Sequence, residues 1–555
     1  MGGIAIATPA RPGAFAPFIL AALVAAAGCG SPPATPPVEP ETLPSSRQPV
    51  RGGQMVIGGT SEPRELNCLR AGDSLTVTLC RTFSGTLIDY DRNLGFVPRL
   101  AHSWTTSADG HTVTFTLRDD VLWQDGEPFT SKDVLYTVEK IRNPDSAIMG
   151  NLPAMFGPLA EIEAPDEQTV IARYGEPYIL AYQAWAKAFI MPSHLPFAPG
   201  EVTPLSRAPI GTGPFRVARW DAGVQIVMEA NERYYDGRPL LDRLIYRIVP
   251  DRRALMVALR TGDIDVAGLS PTEAPQDDSG LPFRVVRYPA NALNFIVWNT
   301  RETPGIFTDP RVRRALSLAL DRQRYIDDIT DGADLPAVST FHPASWAHDP
   351  ELGALPHDPL EAARLLDEAG WIDGDGDGRR ESPRGRAAFT LLYNSGNPND
   401  ESLGVLFQES LASLGVGVTL QAMDFPTLRE KVRGRSFEAA IYHWGLDADP
   451  DPFDFFHSGE AGSGQNLGGY SNPEVDRLVE EGRRTMQVDR RAAIYHEVER
   501  ILIAEQPYSF VSHPVTAIGA RRRVNGLDVG PAGFWGWYPA PLRWWVEPGD
   551  RLPPG

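Results

Sequence analysis

Positive charge is scarce in this sequence. Its 555 residues include 52 Lys and Arg against 71 Asp and Glu, which gives a formal net charge of −19. A field of that sign repels phosphate backbones and the anionic headgroups of lipids. The composition therefore argues against nucleic acid as a partner and against direct electrostatic binding to a membrane surface.

The common catalytic signatures are also missing. The nearest match to a His-Glu-x-x-His zinc motif is HEVER, which has Arg500 in the last position. No Gly-x-Ser-x-Gly motif occurs, and GTGPF at Gly211 lacks the third glycine of a dinucleotide-binding loop. We therefore predict that the protein is not an enzyme, and a secreted hydrolase remains the alternative.

The sequence has no apolar run long enough to predict a membrane span. Its longest apolar stretch, residues 14–28, is shorter than the run of about 20 residues that a helix needs to cross a bilayer. That length is typical of a secretory signal peptide, here residues 1–28. The following Cys29 lies in a motif that resembles a bacterial lipobox, although Ala26 stands where the motif usually has Leu.

Lipidation of Cys29 predicts an extracytoplasmic protein that is lipid-anchored in the periplasm or at the cell surface. Residues 29–49, rich in Pro, Ser and Thr, would form the tether. Cleavage of the signal peptide without lipidation and a retained membrane helix are the alternatives.

Cysteine is otherwise rare, since only Cys68 and Cys80 remain. In an oxidising compartment they either form a disulfide or stay as two buried thiols.

The body of the chain alternates between strand and helix patterns. HTVTFTL has the two-residue period of a strand, and Thr130 with Asp133 predicts a helix that begins with a capping box. Asp309 and Asp358 are further N-cap candidates, and Gly370 is a helix stop. From residue 388 onward the order strand, helix, strand, helix, strand predicts an α/β lobe with a largely parallel sheet, which binds ligands beyond the carboxyl ends of its strands.

Short segments over nearly the whole chain resemble a single family. In chain order they are LAHSW at Leu100, TFTLRDDVLWQDGEPFTSKDV at Thr114, PIGTGPFRV at Pro209, NERYYDGRPLLDRL at Asn231, LRTGDIDV at Leu259, FTDPRVRRALSLALDR at Phe307, ARLLDEAGW at Ala363 and YSNPEVDRL at Tyr470. Their order and spacing resemble the extracellular solute-binding proteins of peptide and nickel ABC importers, such as oligopeptide- and dipeptide-binding lipoproteins.

The resemblance implies an α/β, two-lobed periplasmic binding protein fold, class II-like, with an extra subdomain and with discontinuous lobes joined by a hinge. The implied units are lobe I (50–87, 206–299 and 512–555), an extra subdomain of lobe I (88–205) and lobe II (300–511). It also implies a monomer that delivers its solute to ABC permease and ATPase subunits and that touches the membrane only through a lipid anchor.

The stretch FEAAIYHWGLDADPDPFDFF, residues 437–456, holds the main binding candidates. In peptide-binding members of the family, a Trp-x-x-Asp after this strand supplies the carboxylate that pairs with the α-ammonium of the ligand. The match here is Trp444 to Asp447, and Asp447 is therefore the predicted ammonium-binding residue. The other predicted ligand-binding residues are aromatic or polar groups at strand ends: Trp444, Tyr442, Trp535 and Asn394.

The residues that bind the peptide carboxylate in the family are absent. Ile441 stands three positions before Trp444, where classical oligopeptide binders have a basic residue, and the neutral Asn399 stands at a second basic position. A free carboxylate would lose its partners in a closed cleft. We therefore predict a peptide or peptide-like solute that bears an amine, and a nickel chelate or an oligosaccharide is the alternative cargo.

Two acidic clusters raise the question of metal binding. Asp447, Asp449 and Asp451, flanked by His443 and His457, could hold a hard cation, but alternating carboxylates next to two prolines are more typical of a solvated turn. The better calcium candidate contains Asp373, Asp375 and Asp377, which match the opening of an EF-hand loop, although Arg384 replaces the bidentate Glu. A plain hairpin loop is the alternative there, and no other cofactor is predicted.

Overall fold

The computed structural model describes residues 48–71, 73–146, 148, 151–196, 206–270, 273–301, 305–382, 385–462 and 464–547. The predicted signal peptide, Cys29 and most of the predicted tether lie outside these ranges. No helix within the described ranges combines the length and the apolar composition that a membrane span requires.

The strands are β1 (Gln54–Gly59), β2 (Ile88–Tyr90), β3 (Phe96–Pro98), β4 (Ala101–Thr106), β5 (Thr112–Leu117), β6 (Leu159–Glu163), β7 (Thr169–Tyr174), β8 (Phe215–Asp221), β9 (Gln225–Ala230), β10 (Arg243–Ile248), β11 (Val266–Leu269), β12 (Phe283–Pro289), β13 (Ala292–Trp298), β14 (Leu335–Pro336), β15 (Glu381–Ser382), β16 (Gly385–Arg386), β17 (Ala388–Asn394), β18 (Gly417–Met423), β19 (Ala439–Gly445), β20 (Tyr508–His513), β21 (Val515–Arg521), β22 (Val524–Asn525) and β23 (Trp545–Val546). The α-helices are α1 (Ser74–Phe83), α2 (Ser131–Arg142), α3 (Leu152–Met155), α4 (Ala181–Lys187), α5 (Arg252–Thr261), α6 (Pro310–Ala319), α7 (Arg322–Ile329), α8 (Pro359–Glu368), α9 (Pro398–Ala412), α10 (Phe425–Arg433), α11 (Phe453–Phe456), α12 (Pro473–Arg484), α13 (Val488–Glu505) and α14 (Ala540–Arg543).

The first lobe is built on a seven-stranded sheet with the order β12-β21-β11-β1-β10-β9-β8. Strand β1 runs parallel to β10 and β11, whereas β21 is antiparallel to both β11 and β12. On one face, Leu255 and Leu259 of α5 are buried in a core that includes Val56. This sheet therefore combines chain segments from the N-terminal, middle and C-terminal parts of the sequence.

The second lobe contains a six-stranded sheet with the order β14-β20-β13-β19-β17-β18. The predicted alternation after residue 388 is confirmed, since β17, α9, β18, α10 and β19 follow one another along the chain. The prediction of a largely parallel sheet is wrong. Only β17, β18 and β19 pair in parallel, because β13, which enters from the first lobe, pairs antiparallel with both β19 and β20.

The chain changes sheets at two adjacent points. Strand β12 lies in the first sheet and β13 in the second, so one crossing is at Ala290 and Asn291, while Pro514 separates β20 from β21. The two crossings are joined by a hydrogen bond from the Ala290 backbone N–H to the carbonyl of Pro514, 2.9 Å. The first crossing thus lies several residues before the expected border at Asn299, because β13, which is apolar except for Asn294, is buried at the centre of the second sheet.

The extra subdomain contains the four-stranded sheet β4-β5-β7-β6 and helices α2 to α4. The predicted strand in HTVTFTL is β5, and the predicted capping box of α2 is confirmed by the Thr130 N–H, which donates to the Asp133 carboxylate at 3.0 Å. Trp185 of α4 is fully buried against Phe115 of β5, with ring centroids 5.2 Å apart. This packing fixes α4, whose polar residues reach the site described below.

Other local predictions are confirmed. Asp309 caps α6 by accepting the Arg311 N–H, and Asp358 caps α8 by accepting the Glu361 N–H. Gly370 follows the end of α8 with φ at +81°, a left-handed conformation that glycine adopts readily. The two alternatives for Cys68 and Cys80 are resolved as a disulfide, with Cα atoms 5.8 Å apart.

Candidate functional site

The loop after β19 is anchored to the first crossing between the sheets. The Asn291 side chain donates to the carbonyls of Leu446 and Asp447, each at 2.9 Å, and the Leu446 N–H donates to the carbonyl of Asn291 at 2.7 Å. These bonds hold the start of the loop at the carboxyl end of β19. Asp447 therefore has a fixed backbone position at the edge of the second lobe.

The side chain of Asp447 faces the extra subdomain. Its Oδ1 accepts a hydrogen bond from Lys187 Nζ at 2.5 Å, and its Oδ2 accepts one from Gln183 Nε2 at 2.8 Å. Gln183 also accepts the Asp449 backbone N–H through Oε1 at 3.1 Å. Because α4 belongs to the extra subdomain, the carboxylate lies between the two halves of the molecule.

Tyr90 is a buried polar residue of the extra subdomain. It is only 5% exposed, and its hydroxyl has no hydrogen-bond partner among the residues that the structure describes. Burial raises the pKa of Tyr90 well above its usual value, and the negative charge of Asp447 raises that pKa further. The phenol therefore stays protonated, with hydrogen-bonding capacity that no described residue uses.

The other two carboxylates of the loop have structural partners. Asp449 makes a bidentate ion pair with Arg491, at 2.5 and 2.7 Å, and Asp451 accepts from Arg483 Nε at 2.7 Å. Asp451 also accepts the Phe453 N–H at the start of α11, 3.3 Å. A metal ion in this loop would have to displace both arginines, so the structure does not support the loop as a cation site.

The aromatic side chains of β19 belong to the core. Trp444 is 8% exposed and Tyr442 is 7% exposed. Trp444 lies between Phe295 and Phe455, with ring centroids 4.5 and 4.0 Å away. These two rings pack in the core of the second lobe, because other aromatic residues cover the side of β19 that they occupy, and their contact with a ligand stays a prediction.

Trp535 and Asn394 also have local roles. Trp535 stacks on Phe534, with ring centroids 5.2 Å apart, and packs against the core of the first lobe. The side chain of Asn394 accepts the Gly396 N–H at 3.0 Å and so closes the turn after β17. Neither side chain lines the inter-lobe cavity described below, and a contact of either with the ligand stays a prediction.

A cavity of about 200 Å³ lies between the two sheets near the crossings. Residues of both lobes line it: Leu269, Ala274, Gln276, Arg287, Asn294, Tyr325, Thr330, Asp331, Ala333, Asp334, Asn397, Asn399, His443 and Pro514 to Ala517. His443 is fixed on its wall, since Nδ1 lies 2.8 Å from Asn294 Oδ1 and Nε2 lies 2.8 Å from Asp400 Oδ1. Burial raises the pKa of Asp334 in the same wall.

Basic side chains contribute little to this cavity. Ile441 is fully buried in the core, and Asn399 lines the cavity with a neutral amide. Arg287 also lines it, but its guanidinium donates to the backbone carbonyls of Ala274 and Pro275. The two positions at which the family's basic residues were expected therefore offer no cation to a ligand carboxylate.

The predicted calcium loop forms a compact acidic turn. Ligand atoms of Asp373, Asp375 and Asp377 lie within 4.8 Å of one another, and all three residues are exposed. Asp373 accepts the N–H groups of Gly376 and Gly378 at 2.8 and 3.0 Å, and Asp377 pairs with Arg386 at 3.2 Å. Hydrogen bonds within the turn account for the Asp and Gly pattern, and calcium binding stays a prediction.

Sequence reasoning missed the residues that face Asp447. Gln183 and Lys187 lie one helical turn apart on α4, but neither belongs to a recognisable motif. Their contacts with Asp447 depend on how the extra subdomain packs against the second lobe. The only signal in the sequence was the four-residue spacing of two polar residues in an otherwise apolar and aromatic segment.

Comparisons with known proteins agree with this architecture. Residues 95–466 match the family of bacterial extracellular solute-binding proteins, family 5 Middle. The oligopeptide-binding protein AppA of Bacillus subtilis is 28% identical over 88% of this chain and 91% of its own, and Protein XP55 of Streptomyces lividans is 32% identical over 83% of each. The solved structure of Bacillus subtilis AppA with a nonapeptide superposes with a TM-score of 0.75, at 27% identity, over 90% of this chain and 100% of that chain. The chain therefore belongs to family 5 of the bacterial extracellular solute-binding proteins.

Proposed function

We propose that this protein is the receptor subunit of an ABC importer and that it captures an amine-bearing peptide or peptide-like solute between its lobes. The observation that carries the proposal is the position of Asp447, whose carboxylate faces the extra subdomain at the end of β19. An ammonium group bound there makes a charge-assisted hydrogen bond worth roughly 1.5–3 kcal/mol. The solute-loaded form would then dock on a permease pair driven by ATPase subunits.

The chemistry of the site and one relative support a peptide-like cargo. The relative named as an oligopeptide-binding protein, AppA, has been solved with a nonapeptide. The cavity walls carry amides, a histidine and hydroxyl groups, which suit the backbone of a peptide. Because no cation stands at position 441 or 399, we expect a cargo whose other end is neutral or extends beyond the cavity.

A nickel chelate and an oligosaccharide are the alternative cargoes within this proposal. Mass spectrometry of the solute that co-purifies with the protein distinguishes them, since a chelate carries the nickel isotope pattern and a sugar carries no nitrogen-rich fragments. An intact solute after incubation also separates a binding protein from a hydrolase, which would return fragments.

Replacing Asp447 with asparagine is expected to weaken binding of an amine-bearing peptide at least tenfold. The substitution keeps the shape of the side chain but removes the negative charge that attracts the ammonium. The measurement is calorimetric titration with the best-retained member of a tetrapeptide library that has free amino termini. Melting temperature should change little, because the side chain of Asp447 is 45% exposed.

The matched control is Asp489→Asn, which removes an exposed carboxylate from the first turn of α13. It removes the same charge from the protein but should leave peptide affinity within a factor of two. Equal affinities of wild type and Asp447→Asn would remove the assigned role. Failure of the wild-type protein to retain any free-amine peptide would refute the peptide-like cargo itself.

The lipid anchor is a second part of the proposal. Cys29 follows an apolar segment and precedes a Pro-rich stretch, as a lipidated first residue would. A Cys29→Ser variant is therefore expected to leave the membrane fraction and appear in the soluble extracytoplasmic fraction. The measurement is fractionation after a carbonate wash, and retention of the variant in the membrane pellet would contradict lipidation as the anchor.

A further inference from the structure

Both oxygens of the Asp447 carboxylate are already bonded to groups of this chain. Lys187 Nζ lies 2.5 Å from Oδ1, and Gln183 Nε2 lies 2.8 Å from Oδ2. The ε-ammonium of lysine and the α-ammonium of a peptide are the same functional group, each with three donors and a single positive charge. A ligand ammonium that binds Oδ1 therefore competes with Lys187 for the same negative charge.

The two partners of Asp447 differ in how firmly they are held. Gln183 is 4% exposed, and both ends of its amide are engaged, since it also accepts the Asp449 N–H. Lys187 is the last residue of α4, and its side chain is 28% exposed. A lysine ammonium on a flexible stem beside solvent can move into water at a small cost in free energy.

We infer that Lys187 is an internal competitor for the cargo ammonium and thereby a specificity-determining residue of the Asp447 site. Without cargo it neutralises Asp447 and links α4 to the loop after β19. A cargo ammonium competes with it for the same carboxylate, so only a solute that makes further contacts in the cleft binds well. This inference rests on the proposed function and names the residue that sets its affinity.

The test compares Lys187→Met with wild type. Methionine keeps the length and the apolar character of the stem but removes the competing charge. We expect the variant to bind the best-retained free-amine tetrapeptide at least tenfold more tightly, as measured by calorimetry. The N-acetylated form of the same tetrapeptide has no ammonium to exchange, and its affinity should change less than threefold.

Lys132→Met is the matched control. Lys132 belongs to the same subdomain, is 73% exposed and pairs only loosely with Glu167, at 3.7 Å. The substitution removes one positive charge that does not contact Asp447. It should therefore leave the affinities for the free-amine and the N-acetylated tetrapeptide unchanged. A tenfold gain in this variant as well would attribute the effect to net charge and overturn the role of Lys187.

A double variant separates this inference from the proposed function. In the Asp447→Asn background the exchange has no carboxylate to act on, so adding Lys187→Met should give no further gain in affinity. If Asp447→Asn weakens binding but Lys187→Met leaves it unchanged or weaker, the proposed function stands and the competition is refuted. If neither substitution affects affinity, both the proposed role of Asp447 and the competition by Lys187 are refuted.

Discussion

Replacing Arg491 with methionine is expected to lower the free energy of unfolding by about 3–5 kcal/mol, because it leaves a buried carboxylate without its partner. The side chains of Arg491 and Asp449 are 3% and 9% exposed, and the pair is bidentate. Arg491 also donates to the hydroxyl of Tyr495 at 2.9 Å. The variant therefore loses an ion pair at a place that water cannot readily reach. Urea unfolding at pH 7 measures the change.

The neighbouring Arg490 offers a matched control. It is exposed on the same helix, and Arg490→Met should stay within about 0.5 kcal/mol of wild type. Combining Arg491→Met with Asp449→Asn should recover part of the loss, since no uncompensated charge then remains. A loss below 1 kcal/mol for Arg491→Met, or full additivity in the double variant, would contradict a buried and coupled pair.

Acidification is expected to destabilise the protein through two histidines near the second crossing. His342 is 6% exposed and His513 is fully buried, with ring centroids 5.0 Å apart. Burial, reinforced by the charge of neighbouring histidines, lowers the pKa of His342 to about 4 and that of His513 to about 3. In the unfolded chain both groups titrate near 6.5. At pH 7 both histidines are largely neutral in the folded and in the unfolded state, so they do not lower the free energy of unfolding at that pH.

The sign of the effect follows from proton uptake. Between pH 6.5 and 4 the unfolded chain binds protons that the folded state does not, so the free energy of unfolding falls as the pH falls. Each histidine contributes a loss of about 3 kcal/mol by pH 4, at 1.36 kcal/mol for each pKa unit. Urea unfolding across this range measures the slope.

The variant His513→Asn isolates one of the two groups. Its side-chain amide can still donate to the Ala292 carbonyl, which His513 Nδ1 contacts at 2.8 Å, but it cannot titrate. We expect it to lose about 3 kcal/mol less than wild type between pH 7 and pH 4. His102→Asn, at an exposed position of β4, should keep the wild-type slope. Identical slopes for wild type and His513→Asn would disprove the buried neutral state.

The predicted lobes illustrate how far local patterns reach. The strand period, the helix caps and the glycine stops predicted β5, α2, α6, α8 and the alternation after residue 388, because each depends on neighbours a few residues away. The border at Asn299 was misplaced, since the sequence of β13 is apolar enough to be buried in either sheet. Only the pairing of β13 with β19 and β20 assigns it to the second lobe.

The predicted binding residues also show that local sequence patterns do not determine contacts between distant segments. Asp447 was predicted from the resemblance to the family's Trp-x-x-Asp after a strand, and the structure puts it between the lobes. Trp444 and Tyr442 were expected to line the pocket because aromatic residues at strand ends often do. Their burial depends on Phe295 and Phe455, which come from other segments and cover that side of β19.

The sequence by itself determined the family, the helix and strand types of the second lobe, and the identity of the carboxylate at its edge. Tertiary structure alone decided what that carboxylate meets. Lys187 and Gln183 lie more than 200 positions before Asp447, and their contact arises only when the extra subdomain packs against the second lobe. Local propensity acts over a few residues, whereas charge pairing across a cleft depends on the packing of segments that are remote along the chain.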